Sequence, residues 1–510
     1  MSILTNVTWL DICLASAGVY LVKQVFSKKN PAPYPPGPPG WPLVGNLMDM
    51  PHIKYGEYLP FFQNHALHSS RLLGQRIIVL NSAKTATDIL DKKSAVYSDR
   101  PVLPMGGELV GFKHILPLLP CGDRFRRYRK HFHHVIGSHA ALDIYNQIEE
   151  VETHRFLKRV LANPDQLQTH VRHTAGAIIL RISHGYEVKE NNDPFVDLAD
   201  RAMDYFSRTT APGAFMVDIV PSLAKVPEWF PGAGFKRIAR EWHETTEEMA
   251  AAPYEFVKDQ MVTMIRSYAL SAEDEHIVKW SAASLYGGGA DTTASAVYSL
   301  FLAMTLFPDV QKKAQAEIDA IVGPDRLPSL ADRNSLPYTE ALATEILRWN
   351  VVAPTGFPHL VTDDEIHDGY YIPKGSVVIP NIWFMLHDPR TYANPSQFNP
   401  ERFLAKDGKG PETNPRTICF GFGRRLAQMK KTVLTSLSVA RLHLADASVW
   451  ISTAMSLAVF DISKVIENGV EITPEVDPTS GTISHPKPFK CSIKARSAKA
   501  LELIQQDANY

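Results

Sequence analysis

Apolar residues run with few interruptions from Ile3 to Phe26, about 20 positions, which suits a bilayer span. Lys28 and Lys29 follow the run, so the positive-inside rule places the rest of the chain in the cytosol. Asp11 is a costly residue in mid-span, and a secretory signal peptide is the rival reading. Against that rival, no basic residue precedes the run and no clean small-x-small cleavage site follows it. Pro35–Pro42 is then stiff and extended, because prolines fix φ and lack a donor. His52–Arg71 lacks the alternation of a strand, Gln75–Asn81 shows it, and Ala83–Lys92 reads as a helix. Ala140–Leu161 and His170–Ile182 repeat at helical period. Pro221–Gly234, an aromatic and apolar loop between helices, suits either the core or a membrane surface. Met261–Leu270 joins two helical patterns abruptly, and Ile277–Leu306 is a long apolar helical pattern. Tyr370–Pro380 places a Lys-Gly turn between two apolar strands.

Composition narrows the picture. With 510 residues the chain can bury a large core, and 45% hydrophobic with 21% charged residues is an ordinary globular balance. Lys+Arg 53 against Asp+Glu 54 gives a net charge of -1, which leaves no electrostatic footprint for nucleic acid. Cys13, Cys121, Cys419 and Cys491 lie far apart without zinc spacing and suit a reducing compartment. Asn6-Val7-Thr8 is a glycosylation sequon close to the apolar run.

Candidate chemistry comes in four places. Gly287-Gly-Gly-Ala-Asp-Thr-Thr293 interrupts the long helical pattern. Three helical glycines cost about 1 kcal/mol each relative to Ala, so they predict a close approach or a distortion. A phosphate loop is one rival, but no Gly-Lys-Ser/Thr follows; a tightly packed core helix is another. Within the basic stretch Cys121–Lys130, Phe125 and Arg129 share a helical face, the alternative being a solvated basic surface. Glu345 and Arg348 are one helical turn apart, alone a common surface pair, and Phe398-Asn-Pro-Glu-Arg-Phe403 supplies Arg402 downstream. Last, Phe420-Gly421-Phe422-Gly423-Arg424-Arg425 has glycines that let the backbone turn tightly.

In this order the motifs resemble those of the cytochrome P-450 monooxygenases, over Pro35–Arg425 and again from His443 onward, and most closely the membrane-anchored basidiomycete fungal type. The resemblance implies a mainly α fold with a small β region, the haem lying between two central helices. It divides the chain into a membrane anchor (1–27), a Pro-rich hinge (28–46) and a single haem-binding domain (47–510). Gly288–Thr292 matches the family's oxygen-activating pattern, which implies an opened helical turn. Thr292 would hydrogen-bond dioxygen, and Asp291 would help deliver protons. Phe125 and Arg129 match Trp-x-x-x-Arg, with Arg129 on a haem propionate and Phe125 keeping the packing without the indole donor. His359 is implied as another propionate partner. Phe420, Gly421, Gly423 and Arg425 would form the loop under the porphyrin. Glu345, Arg348 and Arg402 would form a buried triad, and Gly481–Pro486 resembles the last substrate-contact loop.

One position departs from the family. Its pattern, Phe-Gly-x-Gly-x-Arg-x-Cys-x-Gly, contains the Cys whose thiolate binds iron and favours O–O cleavage. Here Ala427 stands at the Cys and Met429 at the second Gly. Leu426–Leu442 contains no Cys, Pro or Gly, as a true insertion, a replaced exon boundary or a retained intron would give. Cys419 is the nearby thiol and so the metal-ligand candidate. It precedes Phe420, on the wrong side of the turn, and its plain alternative is a small buried hydrophobe. The implied activity is a haem-dependent monooxygenase that puts one oxygen atom into a lipophilic substrate of fungal secondary metabolism, terpenoid or aromatic. Electrons would come from NADPH through NADPH-cytochrome P-450 reductase. The site would be the endoplasmic reticulum membrane, facing the cytosol. The alternatives are a haem-poor, impaired family member, a protein oxidising aromatic xenobiotics, and a haem-thiolate isomerase or dehydratase.

Overall fold

The computed structural model describes residues 30–42, 44–47, 65–136, 139–264, 270–406, 408–423 and 437–506. The anchor (1–27), the sequon at Asn6, part of the hinge, and Arg425, Ala427 and Met429 lie outside the described residues. The architecture is mainly helical with a small β region. The longer helices are α1 (Asp123–Ile136), α2 (His139–Ala162), α3 (Leu167–His184), α4 (Pro194–Thr210), α5 (Phe235–Met264), α6 (Ala272–Leu306), α7 (Pro308–Ile321), α8 (Pro337–Trp349), α9 (Leu437–Val459) and α10 (Ala498–Gln505). Among the described residues no single helix is long and apolar enough to cross a membrane.

The main sheet joins β1 (Leu67–Leu72), β2 (Gln75–Leu80), β3 (His359–Leu360) and β6 (Val377–Pro380) in the order β1-β2-β6-β3. β4 (Glu365–His367) and β5 (Tyr370–Ile372) form a separate hairpin between β3 and β6. β1 and β2 are joined by Leu73 and Gly74, both at positive φ (46° and 95°), the twist that a two-residue hairpin turn requires. β1 corrects an expectation, since its sequence overlaps the stretch that lacks alternation. His68, Ser69 and Ser70 are buried together with Leu67, so both faces of the strand are covered and no polar face remains to be read. Buried polar groups there find partners: Ser69 N–H donates to the Pro36 carbonyl at 2.8 Å, and Arg76 to Ser69 Oγ at 2.8 Å.

The long apolar pattern forms α6, entered through Ser271, whose hydroxyl accepts from Asp274 N–H at 3.1 Å with Glu273, Asp274 and Glu275 at the positive helix end. Buried along most of its length, α6 packs closely against α3, α9, α1 and α5. The helix runs unbroken through Gly287–Gly289, so the expected opened turn is absent. The glycines serve close packing instead. A Cβ at Gly287 would lie 2.8 Å from Met203 Sδ, and one at Gly289 2.8 Å from Ile179 Cδ1. In the Pro221–Gly234 loop, Trp229 is 81% and Phe230 50% exposed, which excludes the core reading of that loop.

Candidate functional site

A cavity of about 330 Å³ lies against the middle of α6. One wall is Gly287, Gly288, Thr292 and Thr293 of that helix, and the opposite wall is the turn Cys419–Phe422. Phe112, Phe206, Phe357 and Ile483 contribute apolar surface, while Arg100, Arg129 and His359 bring polar groups to the same space. Such a concave apolar chamber with a few convergent polar groups is the usual form of a small-molecule site.

On α6, Thr292 donates its hydroxyl to the Gly288 carbonyl at 2.8 Å, closing the helical turn that the glycines leave free of side chains. Asp291 faces elsewhere. It is 4% exposed, and its Oδ1 lies 3.0 Å from His485 Nε2 and 3.5 Å from Arg172 Nη1. Burial alone pushes this carboxyl up, but the His485 and Arg172 charges outweigh it and hold the group below the usual carboxylate range.

The opposite wall is a turn held from both sides. Gly421 and Gly423 adopt φ of 92° and 95°, backbone that favours glycine, and Gly423 N–H donates to Asp91 Oδ1 at 2.7 Å. The preceding helical turn Arg416–Cys419 is tied down by Arg416, whose Nε reaches Asp446 Oδ1 of α9 and whose Nη1 reaches Thr344 Oγ1 of α8, both at 2.6 Å. Cys419 reaches the cavity wall, yet burial pushes its thiol up to about 12. It is therefore a neutral thiol at physiological pH.

At the remaining side Phe125 and Arg129 stand together on α1, the guanidinium carbon 5.8 Å from the ring centroid, and burial lowers the arginine's pKa. His359 donates from Nδ1 to the Tyr97 carbonyl at 2.7 Å. Away from the cavity, Glu345 receives Arg348 Nε and Nη2, each at 2.7 Å, and Arg402 Nε at 3.2 Å, with all three side chains buried. Sequence reasoning missed Arg100 and Arg172, and took His485 only as part of the Gly481–Pro486 loop. Arg100, inside Ser98-Asp-Arg-Pro101, fastens three carbonyls, those of Pro117, Phe357 and Pro358, at 2.9, 2.8 and 2.6 Å. A lone Arg beside Pro101 was its signal. Nothing local marks Arg172 or His485 as a partner of Asp291, which is distant from both in sequence.

The sequence model of the cytochrome P-450 family matches residues 35–426, and the match ends one residue short of Ala427. The chain belongs to the cytochrome P-450 family. Cytochrome P-450 monooxygenase 208 of Postia placenta is 52% identical over 508 residues, covering 97% of each chain. Cytochrome P-450 monooxygenase claR of Ampulloclitocybe clavipes is 45% identical over 98% of this chain and 93% of its own. Cytochrome P-450 monooxygenase ppsD of Aspergillus oryzae is 40% identical over 92% and 90%.

Membership of the cytochrome P-450 family implies a haem, and two observations bear on its fit. The cradle suits a flat apolar ring with acidic edges: an apolar chamber, a glycine turn at φ that a Cβ would strain, and buried Arg100 and half-buried Arg129 in its lining. The ligand set does not suit the family's iron. Ala427 carries no donor atom, and the thiol of Cys419 is held neutral by burial.

Proposed function

We propose that this chain is the scaffold of a haem-dependent monooxygenase for a lipophilic substrate of fungal secondary metabolism, terpenoid or aromatic, and that Ala427 leaves it impaired in haem ligation. The observation that carries the reading is the apolar cavity set between Thr292 and the Phe420–Gly423 turn. Haem, where bound, would supply the redox centre for dioxygen activation, with two electrons from NADPH through NADPH-cytochrome P-450 reductase. The chain's own residues have separable tasks. Arg129 and His359 hold the propionates, and Phe125 packs beside Arg129. Phe420, Gly421 and Gly423 would shape the backbone against the ring, in the motif that Arg425 continues. Thr292 directs its own proton to the Gly288 carbonyl, leaving its oxygen to accept from a bound molecule, and Asp291 exchanges protons behind it. Glu345, Arg348 and Arg402 lock the segment that leads into the turn. Exposed Trp229 and Phe230 support a membrane-facing loop, consistent with residues 1–27 as a single-pass anchor in the endoplasmic reticulum, the chain facing the cytosol.

The impaired-ligation reading rests on Ala427 and on the neutral, buried Cys419 thiol. A thiolate is both anchor and electron donor to iron, and surrounding contacts tune a ligand without replacing one. The test is the reduced carbon-monoxide difference spectrum. The chain as it stands gives no thiolate-type Soret band, and replacing Leu426–Leu442 with a Cys-containing loop restores one. A thiolate band from the unaltered chain overturns the impairment. No band from either form overturns the scaffold reading.

A further inference from the structure

The loop 479–485 is closed on itself and fastened to α4 and α6. Thr479 N–H donates to the His485 carbonyl at 2.7 Å, and His485 N–H donates back to Thr479 Oγ1 at 3.0 Å. From its tip, Ile483 N–H reaches Ser207 Oγ of α4 at 3.1 Å, while Ser295 Oγ of α6 donates to the Ser484 carbonyl at 2.5 Å. Ile483 is thereby pressed into the cavity wall. At the loop's end His485 Nε2 meets Asp291 Oδ1 at 3.0 Å, next to Thr292 in the chain and on the same helix.

Asp291 needs that contact. A buried carboxylate without a close partner is strongly unfavourable. Its other cation, Arg172 of α3, is farther off at 3.5 Å and also serves Asp200 of α4 at 3.3 Å. The charged groups facing Asp291 are thus His485 from the loop and Arg172 from α3, with Asp200 and Asp197 of α4 beyond the arginine. We propose that His485 is a positioning residue: its pair with Asp291 seats the terminal loop, so the acid behind Thr292 also fixes the cavity wall that Ile483 provides. The Asp291 carboxyl lies below the usual range, so the carboxylate that His485 meets is ionised at neutral pH and is neutralised as pH falls through that lowered value. The inference takes the cavity as the ligand chamber of the reading above, but its readout needs no haem, so failure of haem ligation leaves it testable.

The test is fluorescence titration of the full, haem-free chain with N-phenyl-1-naphthylamine, a neutral apolar probe, counting as cavity binding the part that Ile483→Trp abolishes. His485→Ala weakens cavity binding about tenfold, Asp291→Asn does the same, and the double variant is no weaker than either alone, as for two groups acting as one unit. His485→Gln, which keeps an N–H donor, recovers most of the affinity and serves as the comparison should the Ala variant not fold. Unchanged affinity in the His485 variants overturns the proposal, as do effects that multiply in the double variant. A merely structural role would lower the melting temperature of these variants while leaving the probe's affinity in the folded chain as it was.

Discussion

Glu149 on α2 is wholly buried, and one of its carboxylate oxygens accepts from Ser448 of α9 at 3.0 Å. The other has no hydrogen-bond partner among the described residues. Burial pushes this carboxyl well above its usual range and outweighs the opposing effects of Ser448 and Arg333. A raised carboxyl is neutral in the fold and ionises on unfolding. Its stabilising contribution is therefore full below the unfolded value and is lost as pH rises toward the folded one. Glu149→Gln, which cannot ionise, should match the native chain near pH 4 and exceed it increasingly toward neutrality, by about 1.4 kcal/mol for each unit that the folded value is raised. Melting curves across pH check this, and parallel pH slopes for the two proteins would sink it. At this scale the sequence is readable where chemistry is written into short motifs, as at Phe125 and Arg129 or Asp291 and Thr292. It is silent on direction. Asp291 looks like a cavity acid in the motif, yet its carboxylate faces His485 and Arg172, because which face of α6 meets the cavity depends on packing.

Helices with a strong period were legible as elements, and so was β2. β1 was not, because a strand covered on both faces has no polar side to alternate. The glycines of α6 predicted a close approach correctly and an opened turn incorrectly. Met203 and Ile179 occupy the space above them, and the backbone hydrogen-bond pattern continues. The Glu345–Arg348 spacing looked like an ordinary surface pair until Arg402 was added, since only the three together can leave a glutamate at 0% exposure satisfied. Removing one partner from a buried charge network costs about 3–5 kcal/mol. Arg348→Leu, which deletes two 2.7 Å bonds to Glu345, should fall in that range, as should Arg402→Leu, which deletes one of 3.2 Å to Glu345 and one of 2.7 Å to Glu412. Arg124→Ala breaks only the exposed pair with Glu273 and should cost less than about 1 kcal/mol. Urea midpoints give the ranking, and a shift for Arg348→Leu no larger than that for Arg124→Ala would contradict the network's importance.

Among the described residues three apolar clusters form the interior, and the cavity touches all of them. Ala296 and Val449 belong to the first, Phe112, Phe125 and Phe206 to the second, and Ile382 and Phe422 to the third. That meeting point was not legible in the sequence, because each wall comes from a distant stretch and only the fold brings them together. It has a thermodynamic consequence. A ligand that binds the folded chain alone stabilises the whole molecule by mass action, about 2.7 kcal/mol at a hundredfold excess over Kd. Zinc protoporphyrin tests the cradle without asking for the missing thiolate, since the ring and propionates are those of haem while the metal does not depend on sulfur. At saturating concentration it should raise the melting temperature by a few degrees, and Arg129→Met should weaken its binding by about tenfold through loss of one charge-assisted contact. Ring capture would then be separable from axial ligation, the first resting in the proposed reading on α1, α6 and the Gly421–Gly423 turn and the second on the residue at 427. A chain that shows no thermal shift with the porphyrin, or one that Arg129→Met leaves unaltered, would place the defect in the cradle itself rather than at Ala427.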